Sequence, residues 1–175
     1  MIRDPELLNQ LLDTISRFVR ERLIPNEARL AEDDAVPPEL LAEMKEMGLF
    51  GLSIPEEYGG LGLTMEEEAL VAMEIGKTSP AFRSVFGTNN GIGAQGILID
   101  GTPEQKERYV PPLATGEILS SFCLTEPDVG SDAASLRTTA VRDGDHYILN
   151  GTKRYITNGP EADLFTVMAR TDPDN

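Results

Sequence analysis

The sequence predicts an α+β chain: an N-terminal all-α helical domain over residues 1–116, then a truncated antiparallel β-barrel or sandwich-like domain over residues 117–175. Three observations predict it. Apolar residues recur at three- and four-residue spacing through the first two thirds, the spacing of a helix face. Two boxes, Thr64 with Glu67 and Thr102 with Gln105, have the pattern of helix starts. Past Gly116 the pattern becomes short β-branched and aromatic runs divided by Asp-Gly and Asn-Gly pairs, which are turn signals.

Leu7, Leu8, Leu11, Leu12, Ile15, Phe18, Val19 and Leu23 form one apolar stripe. Pro25 has no backbone donor, so this helix is predicted to end before it. Pro37-Pro38 opens a second helix carrying Leu40, Leu41, Met44 and Met47, with Gly48 as its stop. Residues 51–62 fit neither period and read as an ordered loop. Thr64 begins a third helix, where Glu66, Glu67 and Glu68 suit the positive end of the dipole. Residues 81–99 read as one glycine-weakened helix. The helix begun at Thr102-Pro103 is predicted to break near Pro111-Pro112. Five strands are predicted beyond it, at residues 118–124, 136–141, 146–149, 154–157 and 164–169.

The formal net charge is −15, with 10 basic and 20 acidic residues up to Gly116 and 5 and 10 after it. So even a negative field repels phosphate backbones and anionic lipid, which argues against nucleic-acid and membrane-surface binding. The longest uncharged stretch, residues 84–99, has 16 residues and is broken by glycine and asparagine. It does not read as a membrane span. Arg3, Asp4, Glu6, Asp13 and Arg17 interrupt any apolar run near Met1, so no secretory leader is read and a cytoplasmic protein is expected. A single cysteine, Cys123, excludes an internal disulfide and a multi-thiolate metal site, and its strand position reads as an inert buried thiol. The one histidine, His146, reads as a surface residue at a hairpin end. No metal is expected.

Gly91-Ile92-Gly93-Ala94-Gln95-Gly96 matches the dinucleotide fingerprint letter for letter. The mechanism of that fingerprint needs a buried strand before it and an acid about 20 residues on. Neither is present, so these glycines read as points of close approach between elements. The informative segment is residues 122–132, Phe-Cys-Leu-Thr-Glu-Pro-Asp-Val-Gly-Ser-Asp. A strand runs into a Gly-Ser loop there. Such a strand end can offer backbone N–H groups and the Thr125 hydroxyl to the polar edge of a planar ring, and the loop can present N–H groups to a phosphate. A tight turn capped by Ser131 and Asp132 is the plainer alternative.

Taken whole, the chain resembles the acyl-CoA dehydrogenase flavoprotein family. Four separated motifs in order carry the resemblance: residues 48–60, residues 101–117, Leu124-Thr125-Glu126-Pro127 with Gly130-Ser131-Asp132, and Asn150-Gly151-Thr152-Lys153 leading to Ile156-Thr157-Asn158-Gly159. The resemblance implies FAD as cofactor and α,β-dehydrogenation of an acyl-CoA thioester. It implies that Phe122, Leu124 and Thr125 line the flavin, with Thr125 at its pyrimidine edge. Gly130 and Ser131 are implied near the pyrophosphate, Ser131 also near the CoA substrate, and Ile156 and Thr157 at the N5/O4 side. Tyr155 stands where many members carry tryptophan, keeping a smaller stacking face. Arg83 matches an arginine that meets a substrate's far carboxylate in the glutaryl-CoA branch, a task suited to a planar guanidinium; a salt bridge to one of the chain's many acids, or a plain helix-end residue, is the alternative.

Glu126 is implied to be structural. The catalytic base is implied to lie in a C-terminal helical bundle absent from this chain, which is therefore expected to be an inactive fragment. Implied partners are the acyl-CoA, an electron-transfer flavoprotein or similar acceptor, and further copies of the chain in a dimer or tetramer. An acyl-CoA oxidase, a flavin monooxygenase of the same fold and a non-catalytic scaffold fragment stay open beside the dehydrogenase.

Overall fold

Side-chain capping by Asp4, Thr64, Ser79 and Thr102 starts four of the α-helices. A computed structural model describes residues 2–172. Asp4 accepts from the N–H groups of Glu6 and Leu7, both at 3.0 Å, and starts α1 (Pro5–Phe18). Leu8, Ile15 and Phe18 are the buried residues of its stripe. The α-helix ends before Pro25, as expected, but the backbone stays helical. A π turn (Val19–Leu23) and a 3-10 turn (Ile24–Asn26) carry the backbone on into α2 (Glu27–Asp33). Pro25 falls in the first turn of the new segment, where a missing N–H costs little.

Helix α3 (Pro38–Glu46) is followed by Gly48 at φ +72°, the predicted stop. The loop after it is ordered. Its strands of chain fold back through Leu61 N–H to Gly51 O at 2.8 Å and Leu63 N–H to Leu52 O at 2.7 Å. Both predicted capping boxes are present, opening α4 (Met65–Ile75) and α7 (Pro103–Thr115). The single helix expected at residues 81–99 is two, α5 (Pro80–Asn90) and α6 (Gln95–Asp100), divided by the turn at Gly91 to Ala94.

Helix α7 does not break at Pro111-Pro112 but runs through them. Val110, Leu113 and Ala114 are buried around the prolines, and this packing offsets the two lost backbone donors. Gly116 ends the helix at φ +72°, where a Cβ would lie 2.7 Å from the Phe50 ring. Only glycine meets both conditions.

The larger core joins α1 to α5 through Ile15, Val19, Leu40, Met44, Phe50, Val71, Ile75, Phe82 and Phe86. A smaller cluster of Ile54, Ala94, Val110 and Leu113 packs against Ile118 and Leu164, tying the helices to the sheet region.

That region differs from the prediction in three ways. Strands β2 (Thr139–Asp143) and β3 (His146–Asn150) form the expected antiparallel hairpin, with exposed His146 opposite Asp143. Strands β1 (Ser120–Cys123) and β4 (Leu164–Val167), however, pair in parallel, Ser120 beside Leu164 and Cys123 beside Val167. A parallel pair needs a long crossover, and the hairpin supplies it. The two sheets do not close into a barrel. Residues 154–157 are not a strand, because Tyr155 takes a left-handed φ of +58° and the chain turns at Asn158, φ +60°.

Cys123 is buried, and burial pushes its thiol pKa up, as an inert thiol requires. Among the described residues no helix is long and apolar enough to cross a membrane, and no group of three or more His, Cys, Asp or Glu could hold a metal ion.

Candidate functional site

Strand β1 is fastened to the helices by one side chain. Asn89, fully buried on α5, accepts from Ser120 N–H at 2.8 Å and Ser120 Oγ at 2.9 Å. Its amide donates to the carbonyls of Leu113 at 3.0 Å and Ile118 at 2.9 Å. Every hydrogen-bonding position of that amide is used. Gly93 makes the close approach possible, since a Cβ there would stand 2.0 Å from Ser120 Oγ. A helix, not a strand, precedes the glycine run, which excludes the dinucleotide reading. Gly93 acts as the expected point of approach; Gly96 has nothing within 4 Å.

Beyond β1 the chain turns through Glu126 and Val129, whose backbones bond reciprocally at 2.9 and 3.2 Å. The Glu126 carboxylate is buried. It accepts from Arg137 N–H at 2.7 Å, Thr138 N–H at 2.8 Å, Thr138 Oγ at 2.6 Å and Lys153 Nζ at 2.9 Å. These bonds, first the Thr138 hydroxyl and then Lys153, hold its pKa down at about 2. So acidic and so fully bonded a carboxyl cannot take up a substrate proton near neutral pH, and it fits the structural part expected of it.

Lys153 ties the two implied flavin segments together. Its ammonium donates to Glu126 and to the Leu124 carbonyl at 3.0 Å. Arg154 N–H reaches Thr125 O at 2.8 Å, Ser121 Oγ donates to Thr157 O at 2.6 Å, and Asn158 Nδ2 reaches Thr88 Oγ at 3.0 Å. Phe122, Leu124 and Thr125 are thereby set beside Tyr155, Ile156 and Thr157. Sequence reasoning missed Lys153 and Asn89 as fasteners, because their partners lie 24–31 residues away along the chain. A buried amide or ammonium in a strongly acidic chain was the available signal.

The arrangement leaves several donors without partners. Among the described residues, the backbone N–H groups of Thr125, Gly130, Ser131 and Thr157 have no partner, nor do the hydroxyls of Thr125, Ser131 and Thr157. Tyr155 is 78% exposed, and the Arg154 guanidinium stands 4.6 Å from its ring centroid. A half-buried apolar floor with unbonded N–H and O–H groups at a strand end fits a planar heterocycle, and the exposed Gly130-Ser131 loop fits a phosphate.

Arg83 is not part of this group. It lies on α5 two residues before Val85, about 200° round the helix. Val85, Thr88 and Asn89 face Asn158 and β1, whereas Arg83 lies along Gly87 beside a cleft lined by Leu52, Glu68, Val71 and Phe86. Among the described residues it has no ion pair.

Residues 5–117 match the family model described as acyl-CoA dehydrogenase, N-terminal domain, and residues 121–175 the model described as acyl-CoA dehydrogenase, middle domain. The chain is 45% identical over 168 residues to the very long-chain specific acyl-CoA dehydrogenase, mitochondrial, of Macaca fascicularis, covering 95% of this chain and 25% of that protein. It is 41% identical over 157 residues to an acyl-CoA dehydrogenase of Bacillus subtilis (strain 168), covering 90% and 41%. A glutaryl-CoA dehydrogenase of Mycobacterium smegmatis solved in complex with FADH2 superposes with a TM-score of 0.89 at 38% identity, covering 97% of this chain and 43% of that one. The chain thus spans between a quarter and a little under half the length of these relatives.

Proposed function

The chain belongs to the acyl-CoA dehydrogenase family, and from that premise we propose that it holds FAD and serves α,β-dehydrogenation of an acyl-CoA thioester. The observation that carries the proposal is the union of two distant segments, residues 122–125 and 155–157, around unpartnered N–H and O–H groups. When bound, the flavin supplies the acceptor for the hydride that leaves the acyl β carbon.

The rest falls to the chain. Phe122, Leu124, Tyr155 and Ile156 supply apolar and stacking surface that excludes water. Thr125 and Thr157 offer donors to the ring edge, where charge develops. Gly130 and Ser131 offer N–H groups to the pyrophosphate, and Ser131 also to the CoA end of the substrate. Glu126 holds this frame and takes up no substrate proton, so the base that takes the α proton is assigned to a residue outside these 175. An electron-transfer flavoprotein or similar protein as acceptor, and assembly into a dimer or tetramer, belong to the same proposal.

The finer proposal concerns the acyl chain. An exposed guanidinium with no ion pair among the described residues, in a chain of net charge −15, supports a terminal carboxylate as the partner of Arg83. Glu68 lines the narrow cleft beside Arg83 and opposes an anion, so the substrate carboxylate must reach Arg83 itself.

The test is direct. Purified full-length protein is expected to be yellow and to release FAD on denaturation, whereas these 175 residues alone are expected to bind it weakly. A colourless protein that takes up no added FAD defeats the proposal. Separately, these 175 residues alone are expected to reduce no dye with acyl-CoA, and robust turnover by them places the base wrongly.

A further inference from the structure

We propose that Lys153 is a positioning residue that acts on bound flavin through the Leu124–Thr125 peptide, strengthening the Thr125 N–H as a donor. The inference rests on the flavin reading above. Lys153 Nζ donates to the Leu124 carbonyl at 3.0 Å, and its side chain keeps only 11% of its exposure. A cation bonded to a peptide oxygen draws electron density from the peptide nitrogen, so the N–H on the far side becomes a better donor. That N–H belongs to Thr125, and it has no partner among the described residues. The polarisation is therefore delivered to an unpartnered donor.

Glu126 works in the opposite direction. Its carboxylate lies 2.9 Å from the same ammonium and offsets part of its field, while three bonds to Arg137 and Thr138 keep it from swinging away. The two charges thus have opposite expected signs at the ring. Two electrons and one proton leave a flavin negatively charged at its pyrimidine edge, so a stronger donor there favours the reduced form.

A residue that merely staples the loop changes stability, and binding of both flavin forms together, without moving the potential. The experiment therefore measures the midpoint potential of protein-bound FAD by reductive titration against a reference dye, with oxidised-FAD affinity and thermal melting in parallel. Lys153→Met is expected to weaken the reduced form relative to the oxidised form about tenfold, about 30 mV for a two-electron couple. Lys153→Arg keeps the charge and is expected to restore the wild-type potential. Glu126→Gln keeps the shape and one acceptor oxygen, and is expected to raise the potential. An unchanged potential in Lys153→Met, or a lowered one in Glu126→Gln, overturns the inference. If Lys153→Met does not fold or hold FAD, the sign in Glu126→Gln decides alone. Wild type that takes up no FAD defeats the functional reading and this inference with it, whereas wild type that binds FAD with an unresponsive potential defeats only the inference.

Discussion

Lys153 Nζ stands 2.9 Å from Glu126 Oε1, and the two side chains keep only 11% and 5% of their exposure. A pair so withdrawn from water is satisfied only because other groups complete it: the Leu124 carbonyl for the ammonium, Arg137 and Thr138 for the carboxylate. Removing one member strands the other, which is why such pairs are costly to break singly.

The pair makes the fold acid-sensitive. Glu126 and the capping-box residue Glu67 both have pKa values lowered to about 2, Glu67 chiefly by the Arg3 and Thr64 N–H groups. A lowered folded-state pKa contributes stability above the unfolded value, and the contribution is lost as pH falls from about 4.5 to about 2. Melting temperature is expected to fall across that window, and to fall less in Glu126→Gln and Glu67→Gln. Parallel curves for all three proteins would contradict the assignment.

Gly93 and Gly96 share one motif but predict opposite outcomes. Gly93→Ala drives a Cβ into Ser120 Oγ, an overpacking expected to cost about 1–3 kcal/mol. Gly96→Ala meets open space inside α6 and is expected to be neutral or stabilising by up to about 1 kcal/mol. Urea unfolding of both variants measures the difference; equal effects refute the close-approach account.

Thr157→Ala is expected to spare the fold, since Ser121 holds the Thr157 carbonyl rather than its hydroxyl. Loss of one neutral bond to the ring, worth about 0.5–1.5 kcal/mol, should lower the flavin potential and slow flavin reduction by acyl-CoA. Stopped-flow reduction at the wild-type rate means that Thr157 does not face the flavin.

The proposed role of Arg83 is tested by substrate preference. If it meets a terminal carboxylate, adipoyl-CoA is expected to be preferred over hexanoyl-CoA. Arg83→Met is then expected to lower kcat/KM for the dicarboxylyl substrate about 100-fold or more, the scale of losing a desolvated pair. Hexanoyl-CoA turnover should stay equal or improve. A wild type that prefers hexanoyl-CoA, with neither rate altered by the variant, makes Arg83 an ordinary surface arginine.

What the sequence determined by itself is the local chemistry. The Thr64–Glu67 and Thr102–Gln105 boxes, the stop at Gly48 and the Asp143-Gly144 hairpin turn depend on bonds between residues a few positions apart, so they are legible in any window that contains them. Four motifs in order also made the family legible. Tertiary structure decided the rest. Helix α7 runs through Pro111-Pro112 because Val110, Leu113 and Ala114 are buried around them, and packing outweighs two missing donors. Residues 154–157 have the composition of a strand, yet bonds to Thr125 and Ser121, and the Asn158 bond to Thr88 just after them, bend the chain there. The parallel pairing of β1 with β4 joins residues 44 positions apart, and no local propensity encodes a partner at that distance. Propensity acts within a few residues, whereas Asn89 and Lys153 hold the candidate site by bonds that exist only once the chain has brought its distant parts together.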